Sequence, residues 1–70
     1  MENEELFIMY LKEGEYVLFE SVYDGYTYRG KILNNYKNGE FRVEFQNGIR
    51  EEIIGAEQIL FYVGNEGSEK

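Results

Sequence analysis

Apolar and polar positions alternate most regularly between residues 26 and 45. Tyr26, Tyr28, Gly30 and Ile32 fall on one side of an extended chain, with Thr27, Arg29, Lys31 and Leu33 on the other. Phe41, Val43 and Phe45 then share a side, opposite Glu40, Arg42 and Glu44. A period of two marks a half-buried strand, because successive side chains of an extended chain point to opposite faces. Asn38-Gly39 separates the two segments, and both residues tolerate the positive φ of a type I′ turn. The pattern predicts a hairpin.

The same logic extends in both directions. A strand over residues 15–22, entered from Gly14, places Val17 and Phe19 on one side and Leu18 and Val22 on the other. Asp24-Gly25 turns it into the strand over 26–33, and the third strand covers 40–46. A second Asn-Gly, at 47–48, opens a fourth strand over 49–54. Residues 55–58 suit one 3₁₀ turn, and a last strand occupies 59–63. Upstream, Asn3 suits a helix cap, Glu4 and Glu5 a first turn, and Lys12 and Gly14 an end. We therefore expect a short helical segment within residues 1–13, a strand over Leu6 to Leu11 being the rival. Residues 64–70 are polar and expected to form a flexible tail. Five short strands separated by glycines predict a small mainly β domain over 14–63, closed into a barrel because closure removes exposed edges.

Composition narrows this picture. Seventy residues are enough for one small domain, and seven Tyr with five Phe supply large buried areas per side chain. There is no Cys, which removes disulfides and thiolate metal sites. No apolar run approaches the length of a membrane span and no signal peptide is recognisable, so an intracellular, cytoplasmic location is expected. Seven basic residues against fourteen acidic ones give a net charge of −7. That field repels phosphate backbones and favours a basic partner or simple solubility.

Catalytic groups are hard to find. His is absent, and Ser21, Ser68 and Thr27 have no base of the usual kind beside them. Asp24 is the only Asp, so no calcium-loop spacing exists, and no glycine sits in a phosphate-cradling motif. Glu51 and Glu52 are neighbours and therefore face opposite sides of a strand, which reads as solvated surface rather than an acid–base pair. A non-enzymatic domain with no cofactor and no metal is expected. Gly30 is costly within a strand unless a bulge, a barrel bend or a close approach requires it, and we favour a barrel corner.

Gly14-Glu15-Tyr16-Val17-Leu18, Asp24-Gly25-Tyr26-Thr27-Tyr28-Arg29-Gly30-Lys31-Ile32 and Val43-Glu44-Phe45 together resemble the strands of a Tudor domain, of the SH3-like barrel group. Ile59 is similar in placement to the family's closing-strand aliphatic residue. The resemblance covers residues 14–62 and implies a five-stranded SH3-like (Tudor-like) barrel. It also implies recognition of a methylated lysine or arginine by a cage of rings. Tyr28 and Phe45 match cage positions, and Tyr23 matches the first-loop aromatic with one residue of offset. The sequence departs from the family beyond Phe45, where Gln46-Asn47-Gly48-Ile49-Arg50 has no ring and Arg50 stands where one is expected. Asn47 replaces the loop carboxylate. Packing of Tyr28 and Phe45 in the core is the competing explanation.

The expected function is a protein-interaction module that binds a basic, or methylated, segment of a partner. Tyr23, Tyr26, Tyr28, Tyr36, Phe45 and Asn47 are the candidate contacts, since tyrosine offers apolar area with a polar tip. Glu40, Glu44, Glu51 and Glu52 form the candidate acidic face, with Glu13, Glu15 and Glu20 adding long-range attraction. Two rival readings remain. One is a small acidic inhibitor of a nucleic-acid-processing enzyme, its carboxylates imitating phosphates. The other is a homo-oligomer, a structural subunit that self-assembles through strand edges.

Overall fold

The alternating segments become strands for the reason the pattern implies: one side of each is apolar enough to cover the others. The computed structural model describes residues 10–65. Strand β1 spans Glu15–Glu20, β2 Thr27–Asn35, β3 Glu40–Phe45, β4 Arg50–Gly55 and β5 Ile59–Asn65, with a 3₁₀ turn at Ala56–Gln58 before β5. All pairings are antiparallel within one sheet of order β4-β3-β2-β1-β5. Val17, Phe19, Ile32, Phe41, Val43, Phe45 and Ile54 line its inner face and are buried, together with Leu11 from the segment before β1. Register shifts in the β1–β5 and β2–β3 ladders bend the strands locally.

The sheet is open, which corrects the expected barrel. β4 and β5 are its edges and do not pair with each other. The connection between them spends its polar groups elsewhere. Gly55 N–H donates to Gln58 Oε1 at 2.9 Å, Gln58 Nε2 donates to the Glu20 carbonyl at 2.9 Å, and Ala56 N–H to the Gly39 carbonyl at 2.9 Å. The 3₁₀ turn thus tethers β1 and the β2–β3 loop instead of bringing the edges together. The predicted helix over residues 2–12 lies outside the described residues as far as residue 9, and Tyr10 to Lys12 are not helical. The predicted tail also lies outside them from residue 66, while Gly64 and Asn65 belong to β5.

Two turns differ from expectation. At Asn38-Gly39 the left-handed residues are Lys37 and Gly39, so this is a four-residue loop and not a type I′ turn. The Asn35 and Asn38 side chains accept the Lys37 and Glu40 N–H groups at 2.9 and 3.0 Å, which holds the longer loop. The primed geometry instead occurs at Asn47-Gly48, with φ of 59° and 81° and an Ile49 N–H to Gln46 carbonyl bond of 3.1 Å. β1 also ends earlier than predicted. Ser21 leaves the strand to close a loop, donating its N–H to the Tyr26 carbonyl at 2.9 Å and accepting from Gly25 N–H at 2.9 Å.

Gly30 has a packing cause and is not a barrel corner. A Cβ there would lie 2.7 Å from a ring carbon of Phe19 and 3.3 Å from Val43 Cβ. Gly30 sits between Val17 and Phe45 in the ladder, and the rings of Phe19 and Phe45 close over it with centroids 5.1 Å apart, edge to face.

Candidate functional site

Glu52 shapes the site, although it does not lie on an acidic face. β4 directs Arg50, Glu52 and Ile54 inward, and Glu52 is only 5% exposed. Its carboxylate accepts from Ser21 Oγ at 2.9 Å and from Val22 N–H at 3.0 Å. Ser21 Oγ in turn accepts from Tyr23 N–H at 3.1 Å. A buried carboxylate needs such partners, and here they come from one loop, residues 21–26, which is thereby fixed against the end of β4. The sequence reading of Glu51-Glu52 as solvated surface therefore holds for Glu51 alone.

The anchored loop presents Asp24. Its Oδ1 accepts from Tyr26 N–H at 3.0 Å, closing the turn that Gly25 completes at φ 77°. Its Oδ2 accepts from the Tyr28 hydroxyl at 2.6 Å. The Tyr28 hydroxyl, the Tyr26 N–H and the nearby Arg50 guanidinium hold the Asp24 carboxyl below the usual carboxylate value of 3.8. The same bond raises the Tyr28 phenol above its usual 10.0.

Tyr28 stacks beside Phe45, ring centroids 4.8 Å apart, and Phe45 is part of the core. Arg50 is the direct ladder partner of Phe45, and its guanidinium carbon lies 4.9 Å from the Phe45 centroid and 5.7 Å from that of Tyr28. The guanidinium also stands 3.8 Å from Asp24 Oδ2. Two ring faces and one carboxylate thus surround a cation, and the chain supplies that cation itself. Tyr23 and Tyr26, in the same anchored loop, are 75% and 68% exposed.

The other predicted contacts lie apart. Tyr36 accepts from Arg42 Nε at 3.1 Å, and Arg42 also pairs with Glu51 at 3.1 Å. The Tyr36 hydroxyl and Glu51 both raise the Arg42 pKa. Glu44 faces Lys31 and Glu51 across the ladders. Asn47 lies at the rim of an open depression of about 370 Å³ between Tyr16, Arg29, Lys31 and Glu44, and Arg29 sits 4.9 Å over the Tyr16 ring. Glu40 is exposed at the start of β3. The outward positions of β2, β3 and β4 therefore mix both signs of charge.

Sequence reasoning missed the role of Arg50 and Asp24. The signal was available: an Asn-Gly turn at 47–48 makes Phe45 and Arg50 direct cross-strand partners. Among the described residues, no group of three or more carboxylate, His or Cys side chains is placed to hold a metal ion. No described helix is long and apolar enough to cross a membrane. No protein-family model, curated protein or solved structure matches the chain.

Proposed function

We propose that this chain is a non-catalytic interaction module that takes a basic segment of a protein partner at the Asp24–Tyr28–Phe45 site. The observation that carries the reading is the resident cation. Ring faces attract a cation through their quadrupoles, and an adjacent carboxylate adds direct charge attraction. Arg50 demonstrates that the site has the geometry to satisfy one. A lysine, methylated lysine or arginine of a partner would exchange with Arg50, which swings into solvent. Each ring contact at a partly exposed site is worth about 0.5–1 kcal/mol, so the exchange is not prohibitive. Tyr23 and Tyr26, exposed in the loop that carries Asp24, would supply contact area for the residues on either side of the cation. The Tudor-like mode of recognition is the finer form of this proposal, with Tyr28, Phe45 and Asp24 as the walls and Arg50 as the competitor that a partner's cation displaces.

The test is an NMR titration with a lysine-rich peptide, unmodified and trimethylated, against wild type, Arg50→Gln and Asp24→Asn. Removing the competing guanidinium should tighten binding roughly two- to tenfold, and removing the carboxylate should weaken it. Equal affinities for all three proteins, or shifts mapping away from Tyr23 and Tyr28, would sink the proposal. The acidic-inhibitor reading draws on the net charge of −7 alone. The mixed-sign outer face, with Arg29, Lys31 and Arg42 among its carboxylates, does not favour imitation of a phosphate row.

A further inference from the structure

We propose that the depression on the outer side of β1, β2 and β3 binds a small phosphate monoester that carries hydroxyl groups, the chemistry of a sugar phosphate. The ladders set three outward side chains in a row, Tyr16 opposite Lys31 and Lys31 opposite Glu44. Arg29, two residues before Lys31 and so on the same side, holds its guanidinium 4.9 Å over the Tyr16 ring. Asn47 and Gly48 of the following turn complete the lining of a space of about 370 Å³. Tyr16, Arg29, Lys31 and Glu44 take no part in the cation site around Asp24.

The ligand class follows from the charges. Lys31 is half-buried, and among the described residues it makes no ion pair, although Glu44 is its direct ladder partner. The Glu44 carboxylate lies beside the turn instead, where a Cβ on Gly48 would stand 3.6 Å from its Oε1. The ring contact restrains the Arg29 guanidinium, so less freedom is lost when it takes an anion. Two neighbouring cations match a phosphate monoester, which carries about −1.5 to −2 near neutral pH. Glu44 is then the acceptor for a hydroxyl of the same molecule. The volume lies at the low end of the range usual for ligand pockets, about 300–1,000 Å³, and suits a small molecule. A long polyanion meets the whole net charge of −7 and is repelled. A single small anion meets a lining of two cations and one carboxylate, with more distant charges screened beyond about 8 Å in physiological salt.

The test is a titration of the full chain at constant ionic strength, followed through its amide NMR shifts. The probes are ribose phosphate, inorganic phosphate, ribose, sodium chloride and a single-stranded oligonucleotide. Ribose phosphate should move the amides of Tyr16, Lys31, Glu44 and residues 46–48 and bind more tightly than inorganic phosphate, with ribose silent. Lys31→Gln should weaken the ester roughly tenfold, the usual cost of losing one charged hydrogen-bond partner. Glu44→Ala should retain inorganic phosphate and lose the preference for the ester. If Lys31→Gln unfolds, the loss of preference in Glu44→Ala decides the matter alone. Shifts that map elsewhere, that sodium chloride reproduces, or that Lys31→Gln leaves undiminished would overturn the inference. Equal affinity for ester and inorganic phosphate, or tighter binding of the oligonucleotide per phosphate, would overturn it as well.

Discussion

The two edges of this sheet solve the same problem in opposite ways. β4 carries three charged residues, and each is committed: Arg50 to the rings of Phe45 and Tyr28, Glu51 to Arg42, Glu52 to the loop after β1. β5 carries none; Leu60, Phe61 and Val63 are exposed, while Ile59 packs against the core. The engagements of β4 build a cation site beside the edge. The uncharged edge makes no such commitments through ion pairs, and its contacts with the rest of the chain include the ladder to β1 and the Tyr62 hydroxyl on Glu15. The difference shows that a strand which terminates a sheet can also organise a site beside it.

The comparison breaks most severely if the ring floor under Arg50 is removed. Phe45 is buried, contacts Phe19 and Tyr28, and anchors the β4 end of the ladder. Phe45→Ala should destabilise the domain by about 3–5 kcal/mol in urea unfolding, the usual range for a core phenylalanine. A loss under 1 kcal/mol would mean the ring is peripheral. Next comes Glu52→Ala, which strands the buried Ser21 hydroxyl and frees the part-buried Val22 N–H. We expect a loss of about 1–3 kcal/mol. It should also release the 21–26 loop, visible as faster amide exchange at Tyr23, with no change at β5.

The sequence made the strands legible because every inward position on β1, β2 and β3 alternates cleanly, Val17 and Phe19, Gly30 and Ile32, Phe41 to Phe45. It made the 3₁₀ turn legible for a similar reason, since residues 55–58 sit between two apolar runs. Closure was not legible. Whether β4 meets β5 depends on where Gln58 and Ala56 send their hydrogen bonds, and those partners lie 38 and 17 residues away at Glu20 and Gly39. Glu52 was misplaced because composition weights a glutamate toward solvent, and only Ser21, 31 residues distant, reverses that. Gly30 announced a constraint that reads as a barrel corner, and the actual cause, the ring of Phe19 over its Cα, is 11 residues away on the neighbouring strand. Tyr28 and Phe45 were identified as neighbours, while the cation between them was taken for a defect.

A smaller effect tests whether Arg50 belongs to the edge or to the site. Arg50→Gln removes both ring contacts and should lower stability by about 1–2 kcal/mol at most. The companion test is pH. Because the folded Asp24 pKa is depressed, its contribution is complete above the unfolded value near 3.8 and is lost as pH falls through the lower folded value. Because the Tyr28 pKa is raised, its contribution is complete below 10.0 and is lost as pH climbs through the higher folded value. Stability should therefore be flat in this respect between those limits. Asp24→Asn should remove the part of the acid-side slope that depends on this carboxylate, as followed by Tyr28 chemical shifts.

The smallest expected effect falls on the other edge and is the most discriminating. Phe61 lies opposite Leu18 in the ladder, but most of its ring is in solvent, so a lysine there abandons little buried area. Surface substitutions of this kind usually change stability by no more than about 0.5 kcal/mol. Phe61→Lys should therefore unfold at nearly the wild-type urea midpoint. A loss comparable to that of Glu52→Ala would show Phe61 covered from within the chain, and the contrast between the two edges would disappear. An unchanged midpoint is the result expected of a side chain that the rest of the chain leaves uncovered.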